Sequence, residues 1–227
     1  IFEKISDLSD SVISIMTGGD YALIRAVEFF EDYMEIGRKQ VKELKIGKGD
    51  TLVAITATGE TTSVLGTVME AAERQADVFL LICVEKEIPM SRLERSKQAF
   101  LHPKVTVLDM PCNGMALTGS TRMQSTTLEQ LIAGSALEIA LQSVLEERIK
   151  NTVQDEILPS FPLDYPRRFS EMIEILAKEE NVKQIATYIE FEESIYKENG
   201  LVTYYANEFL LDILTDTTER APTFSLP

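Results

Sequence analysis

The sequence predicts an α/β fold built on a parallel sheet, in three α-β-α layers, and three observations predict it. Thr51 to Thr56 (TLVAIT) and Asp77 to Val84 (DVFLLICV) are near-continuous apolar runs, the pattern of strands buried on both faces. Segments with helical period precede and separate them. Strand, helix, strand, helix, strand at this spacing calls for parallel pairing with helices on both faces of the sheet.

The elements follow in order. Val12 to Met16 (VISIM) reads as a short strand, turned by Gly18-Gly19. From Asp20, a plausible cap, Leu23, Ala26, Val27, Phe30, Met34 and Val41 recur at three and four, an amphipathic helix stopped by Ile46-Gly47-Lys48-Gly49. After the TLVAIT strand, Thr58-Gly59 turns the chain into a helix over Ser63 to Arg74. The DVFLLICV strand and a shorter one, Val105 to Leu108, complete the sheet. Leu128 to Leu145 is a long apolar-striped helix, and Pro159, Pro162 and Pro166 then break the chain. Phe169 to Lys178 and Val182 to Lys197 read as helices closed by Asn199-Gly200. Leu201 to Tyr205 begins a fresh strand, with a helix at Glu208 to Leu214. The expected organisation is a first domain over 1–150, a helical linker over 151–199, and the first strand and helix of a second unit over 200–227.

Composition narrows the function. At 227 residues, 44% hydrophobic and 26% charged, the chain is globular in character. With 22 Lys+Arg against 37 Asp+Glu its net charge is −15, which repels nucleic acid and anionic lipid. The longest uncharged run, Met110 to Thr121, is 12 residues, short of a bilayer span. Cys83 and Cys112 lie in apolar surroundings without CxxC spacing, as expected of inert thiols in the cytoplasm. A single histidine, His102, argues against a histidine metal site or a Ser-His-Asp triad, and no cofactor is expected. The chain opens at Ile1 with neither methionine nor a charged-then-apolar leader, and it closes just after the start of an apparent new unit. It reads as a piece of a longer protein.

Three segments carry possible chemistry. Thr56-Ala57-Thr58-Gly59-Glu60-Thr61-Thr62-Ser63 lies between a buried strand and a helix, where parallel sheets bind ligands. Helix N-terminal amides, hydroxyls and a glycine suit phosphate there, or else Thr61 or Thr62 simply caps the helix. The carboxylate of Glu60 works against an anion. Leu117 to Thr127 opens the long helix with Gly119, Ser120, Thr121 and Arg122, which either clamp a phosphate or form a capped helix with a surface arginine. Glu28, Glu31, Asp32 and Glu35 gather on one helical stretch, as a solvated acidic face or as a carboxylate that hydrogen-bonds sugar hydroxyls or abstracts a proton.

Together these segments resemble the SIS (sugar isomerase) fold, in the branch containing N-acetylmuramic acid 6-phosphate etherase and the glucokinase regulatory protein. Gly18-Gly19-Asp20-Tyr21-Ala22, Ala26-Val27-Glu28, Glu31-Asp32 and Gly37 resemble that branch's GG-E-x-A…AVE…ED…G stretch. Ala57-Thr58-Gly59-Glu60-Thr61 sits where the etherases carry A-S-G-R-T. Thr118-Gly119-Ser120-Thr121-Arg122-Met123 is similar to their T-G-S-S/T-R-M/L signature. The likeness covers roughly residues 12 to 145. A weaker one, Asp216 to Phe224 against D-A-S-E-C-P-P-T-Y, marks the front of a second SIS-like unit. Thr58 stands for Ser, Glu60 for Arg and Gln124 for Lys, and the family's first glycine-rich loop does not precede Ile1.

The resemblance implies a phosphosugar-binding domain in a regulator or a sugar-phosphate-metabolising protein. Alternatively it implies an enzyme, an etherase-type lyase or an aldose–ketose isomerase. It places Glu31 at the etherase's base, a carboxylate that contacts fructose phosphate in the regulatory protein, and Glu219 at the etherase's second acid. Thr56, Thr58, Gly59, Thr61, Thr62, Gly119, Ser120, Thr121 and Arg122 fall in the implied phosphosugar loops. The implied partners are a small sugar phosphate and a second SIS unit, in a homodimer or an SIS–SIS pair, with no nucleic acid or membrane.

Overall fold

The computed structural model describes residues 8, 11–23, 29–114, 124–151, 164–205 and 207. The chain is α/β, with a parallel sheet of order β1-β2-β3 formed by Thr51–Ile55, Asp77–Ile82 and Val105–Asp109. Val53 pairs with Phe79 and Phe79 with Thr106, which fixes the register. Helices α1 (Met34–Glu43), α2 (Thr62–Glu73), α3 (Glu87–Arg92) and α4 (Glu94–Phe100) precede and connect the strands. The architecture is consistent with a three-layer α-β-α, SIS-like fold. Helix α5 (Gln124–Asn151) follows, and a division into two compact units falls within it, between Gly134 and Ser135. The second unit holds α6 (Tyr165–Leu176) and α7 (Glu179–Lys197).

The core lies between the sheet and α2. Leu52, Ala54, Val78, Leu80 and Ile82 point to one face and meet Leu65, Val68, Ala71 and Ala72 of α2, with Ala99 and Phe100 of α4. Each large side chain so buried contributes roughly 1.5–3 kcal/mol. Helix α1 packs on the outer side of α2 at backbone distance: a Cβ on Gly66 would fall 2.1 Å from the Met34 carbonyl oxygen. Arg38 of α1 clasps Glu70 at 3.0 Å and Glu73 at 2.8 Å across that seam.

Several expectations are corrected. Strand β1 is not buried on both faces, because Val53 and Ile55 are exposed, as is Phe79 beside them. Right-handed crossovers between strands taken in the order 1-2-3 put every connecting helix on the same face. The opposite face is closed near its carboxyl end, where Cys83 meets the first turns of α5. Val12 to Met16 forms no strand, and Leu201 to Tyr205 forms none. The single helix expected from Asp20 is broken: Asp20–Leu23 and Phe30–Asp32 are short 3-10 turns, and α1 begins only at Met34. Phe29 adopts a left-handed φ of 73° and Tyr33 is extended, and neither conformation continues a helix. Helices α3 and α4 lie where no element was expected. Over Gln124–Glu147, α5 is long and apolar enough to cross a membrane by length and composition, with mean hydropathy 1.2, which a search for uncharged runs overlooks. The expected helix at Glu208 to Leu214 lies outside the described residues.

Candidate functional site

The loop from Thr56 to Thr61 leaves the carboxyl edge of β1 and enters α2, the position at which open parallel sheets bind ligands. It is fastened to the neighbouring strand. The Thr56 N–H donates to the Leu81 carbonyl at 3.1 Å, and the Cys83 N–H donates to the Ala57 carbonyl at 2.8 Å. Gly59 turns the chain with φ of 71° above the Phe100 ring, where a Cβ would fall 2.7 Å from the ring carbon Cζ. No other residue meets both demands.

Two successive residues of α4 hold the loop from the other side. The buried Ser96 hydroxyl donates to the Gly59 carbonyl at 2.9 Å, and Arg95 Nε donates to the Glu60 carbonyl at 3.1 Å. Every peptide bond described is trans, so a carbonyl and the following N–H point in opposite directions. Tying these two carbonyls to α4 therefore turns the N–H groups of Glu60 and Thr61 away from it.

Thr61 occupies the N-cap of α2 but makes no capping bond. Its hydroxyl lies 2.9 Å from that of Thr56 instead. The N–H groups of Glu60, Thr61, Thr62 and Ser63 have no hydrogen-bond partner among the described residues. Helix-end donors of this kind require water or a ligand. No acidic residue lies in the first turn of α2, so the dipole's positive end is unopposed within the helix. The arrangement can bind an anion. Simple capping by Thr61 is not what the structure has.

Sequence reasoning missed a further hydroxyl. Thr17 Oγ1 donates to Ser63 Oγ at 2.8 Å, adding a second hydroxyl pair beside the first turn of α2. Gln40 Nε2 donates to the Met16 carbonyl at 2.6 Å and fixes the backbone just ahead of Thr17. A partner 46 residues away leaves no local signal. Of the residues predicted from sequence, Thr56, Thr58, Gly59 and Thr61 share this one loop, and Thr62 begins α2 directly after it. Glu31 lies exposed in the Phe30–Asp32 turn, which packs against α2. Gly119, Ser120, Thr121, Arg122 and Glu219 lie outside the described residues, as does Glu28.

A second titratable group sits at the same sheet edge, on the opposite face. Glu129 of α5 is half-buried and accepts from the Cys83 thiol at 3.5 Å. Burial holds its carboxyl above the usual carboxylate range. Burial, with the Glu129 charge beside it, pushes the Cys83 thiol up to about 12. That thiol is protonated at neutral pH and is a packing group rather than a nucleophile.

No protein-family model matches the chain. Its relatives among curated proteins include enzymes named N-acetylmuramic acid 6-phosphate etherase. Etherase 1 of Bacillus licheniformis is 32% identical over 123 residues, 54% of this chain and 37% of that protein. The etherase of Lactobacillus johnsonii is 30% identical over 123 residues, 54% of this chain and 38% of that protein. That of Lactococcus lactis subsp. lactis is 30% identical over 149 residues, 66% of this chain and 46% of that protein. The chain thus spans less than half the length of these relatives.

Proposed function

We propose that this chain binds the phosphate of a phosphorylated amino sugar or hexose at the N-terminus of α2. One observation carries the reading: the amides of Glu60 to Ser63 are left open while Thr61, the residue placed to cap them, bonds to Thr56. A phosphate supplies several acceptor oxygens and the negative charge that the helix end favours. The relatives are named for a sugar 6-phosphate, which fits that chemistry. In this reading residues 1–150 are the SIS-like phosphosugar unit, Gly119 to Arg122 complete the cradle, and residues 151–199 link it to a second such unit beginning near residue 200. Pairing between SIS units, within one chain or between two, brings the second unit to the site.

Calorimetry with N-acetylmuramic acid 6-phosphate and with unphosphorylated N-acetylmuramic acid tests the proposal. The phosphorylated sugar binds and the other does not. Equal binding of both, or of neither, refutes it.

A second reading, that of an etherase-type lyase, is favoured by the names of the relatives. In it Glu31 takes a proton from the sugar as the ether C–O bond breaks, and Glu219 gives a proton to the departing lactate oxygen. Released D-lactate on incubation with N-acetylmuramic acid 6-phosphate distinguishes the lyase. Binding without release leaves a sensor or regulator.

A further inference from the structure

We propose that Arg95 and Ser96, at the start of α4, are the positioning residues of the anion loop, and that Arg95 supplies the positive charge by which the loop selects a phosphate dianion. The inference rests on the phosphate reading above. It starts from a conflict within the loop, since Glu60 puts a carboxylate directly before the helix end that is to receive an anion.

The geometry answers that conflict from behind. Arg95 Nε reaches the Glu60 carbonyl rather than its carboxylate, and Ser96 Oγ reaches the carbonyl one residue earlier. Both donors hold carbonyl oxygens off the ligand side, and the N–H groups of Glu60 and Thr61 face it as a result. Two successive N–H groups on one side of a turn form an anion concavity. The guanidinium does more than orient. A cation on a peptide oxygen polarises that peptide, so the Thr61 N–H becomes a stronger donor. Arg95 makes no other hydrogen bond or ion pair among the described residues, so its charge is not neutralised by a carboxylate. Ser96 is fully buried and has the Gly59 carbonyl as its partner, a placement that surface packing does not call for.

The test uses the full chain with Arg95→Met, Arg95→Lys and Ser96→Ala, titrated with N-acetylmuramic acid 6-phosphate and with inorganic phosphate. Calorimetry gives affinity, amide NMR follows Glu60 and Thr61, and melting gives stability. For Arg95→Met the expected result is roughly tenfold weaker binding of both phosphates at an unchanged melting temperature. Loss of the phosphate-induced amide shifts of Glu60 and Thr61 accompanies it. Lysine, which keeps a charged donor, restores affinity to within about threefold. Ser96→Ala weakens binding without changing its dependence on phosphate charge. Wild-type affinity in Arg95→Met overturns the inference while leaving the phosphate site in place. So does failure of lysine to rescue together with a lowered melting temperature, which marks a structural arginine. Wild-type binding without shifts at Glu60 and Thr61 places the phosphate elsewhere and overturns it too. Failure of the wild type to bind either phosphate removes the underlying reading and this one with it.

Discussion

The hydroxyls of Thr56 and Thr61 lie 2.9 Å apart, so the residue at the head of α2 is turned away from the helix it begins. A threonine in that place ordinarily bonds the amide two or three residues on, for about 1 kcal/mol. Here that stabilisation is forgone and the amides stay open. Thr56→Val releases Thr61 to cap its own helix. The lost hydrogen bond, worth about 1 kcal/mol, is then offset by the gained cap. Melting should change little, while affinity for N-acetylmuramic acid 6-phosphate falls by roughly tenfold as the freed hydroxyl takes an amide from the ligand. Unchanged affinity by calorimetry would show that these amides are not where the phosphate sits.

Helices α1 and α2 touch through their backbones. A Cβ on Gly37 would fall 2.0 Å from the Ser63 carbonyl oxygen, and one on Gly66 would fall 2.1 Å from that of Met34. Both obstacles are backbone, which cannot swing aside as a side chain can. Alanine at either position forces the helices apart at a cost of about 1–3 kcal/mol, the range of overpacked cores. Because Ser63 belongs to the first turn of α2, Gly37→Ala also disturbs the loop and weakens phosphate binding. Urea denaturation checks the first effect and calorimetry the second. A Gly37→Ala protein as stable as the wild type contradicts the close approach.

The seam between these helices is pinned by charge. Glu70 is buried, and Arg38 at 3.0 Å and Lys42 at 3.5 Å are its cationic partners. The paired guanidinium also holds the Glu73 carboxyl below the usual carboxylate range. Arg38→Met leaves Glu70 buried with the more distant lysine alone, a loss of about 2–4 kcal/mol. Adding Glu70→Gln to that variant removes the orphaned charge and recovers much of the loss. Equal instability of the single and double variants in a denaturation cycle would show that Glu70 does not depend on Arg38.

Much of the sheet was legible because its signals are local and dense. TLVAI and DVFLLI are short β-rich runs with a helical period between them, and the candidate loop follows from where a strand meets a helix. What stayed hidden depends on partners far away in sequence. Nothing near Thr17 announces Ser63, and nothing near Glu60 announces Arg95. Helices α3 and α4, at six and seven residues, are shorter than the window in which a helical period can be recognised, and Pro89 sits inside the first. The helix expected from Asp20 had the right period but not the backbone, since the left-handed Phe29 interrupts it. The face of β1 was misread because a run of apolar residues reports hydrophobicity rather than which side a helix covers. Glu31, placed on a helix in the sequence reading, lies instead on a short turn packed against α2.

Glu129 gives the fold a dependence on pH whose sign can be stated in advance. Burial raises its carboxyl above the ordinary 4.5, with the Cys83 thiol pulling weakly the other way. Below that ordinary value both folded and unfolded chains hold the proton, and the folded state bears no penalty. As pH rises through the elevated folded value, the half-buried group must ionise in the native protein, and stability falls. Glu129→Gln keeps the shape and removes the ionisation. Its stability relative to the wild type should therefore increase as pH climbs above about 4.5, then level off once the wild-type group is fully ionised. Taking the difference between the two proteins at each pH cancels the contribution of the other carboxylates. Urea unfolding of both across that range measures it, and a difference that stays flat with pH means that Glu129 titrates as an ordinary solvated glutamate.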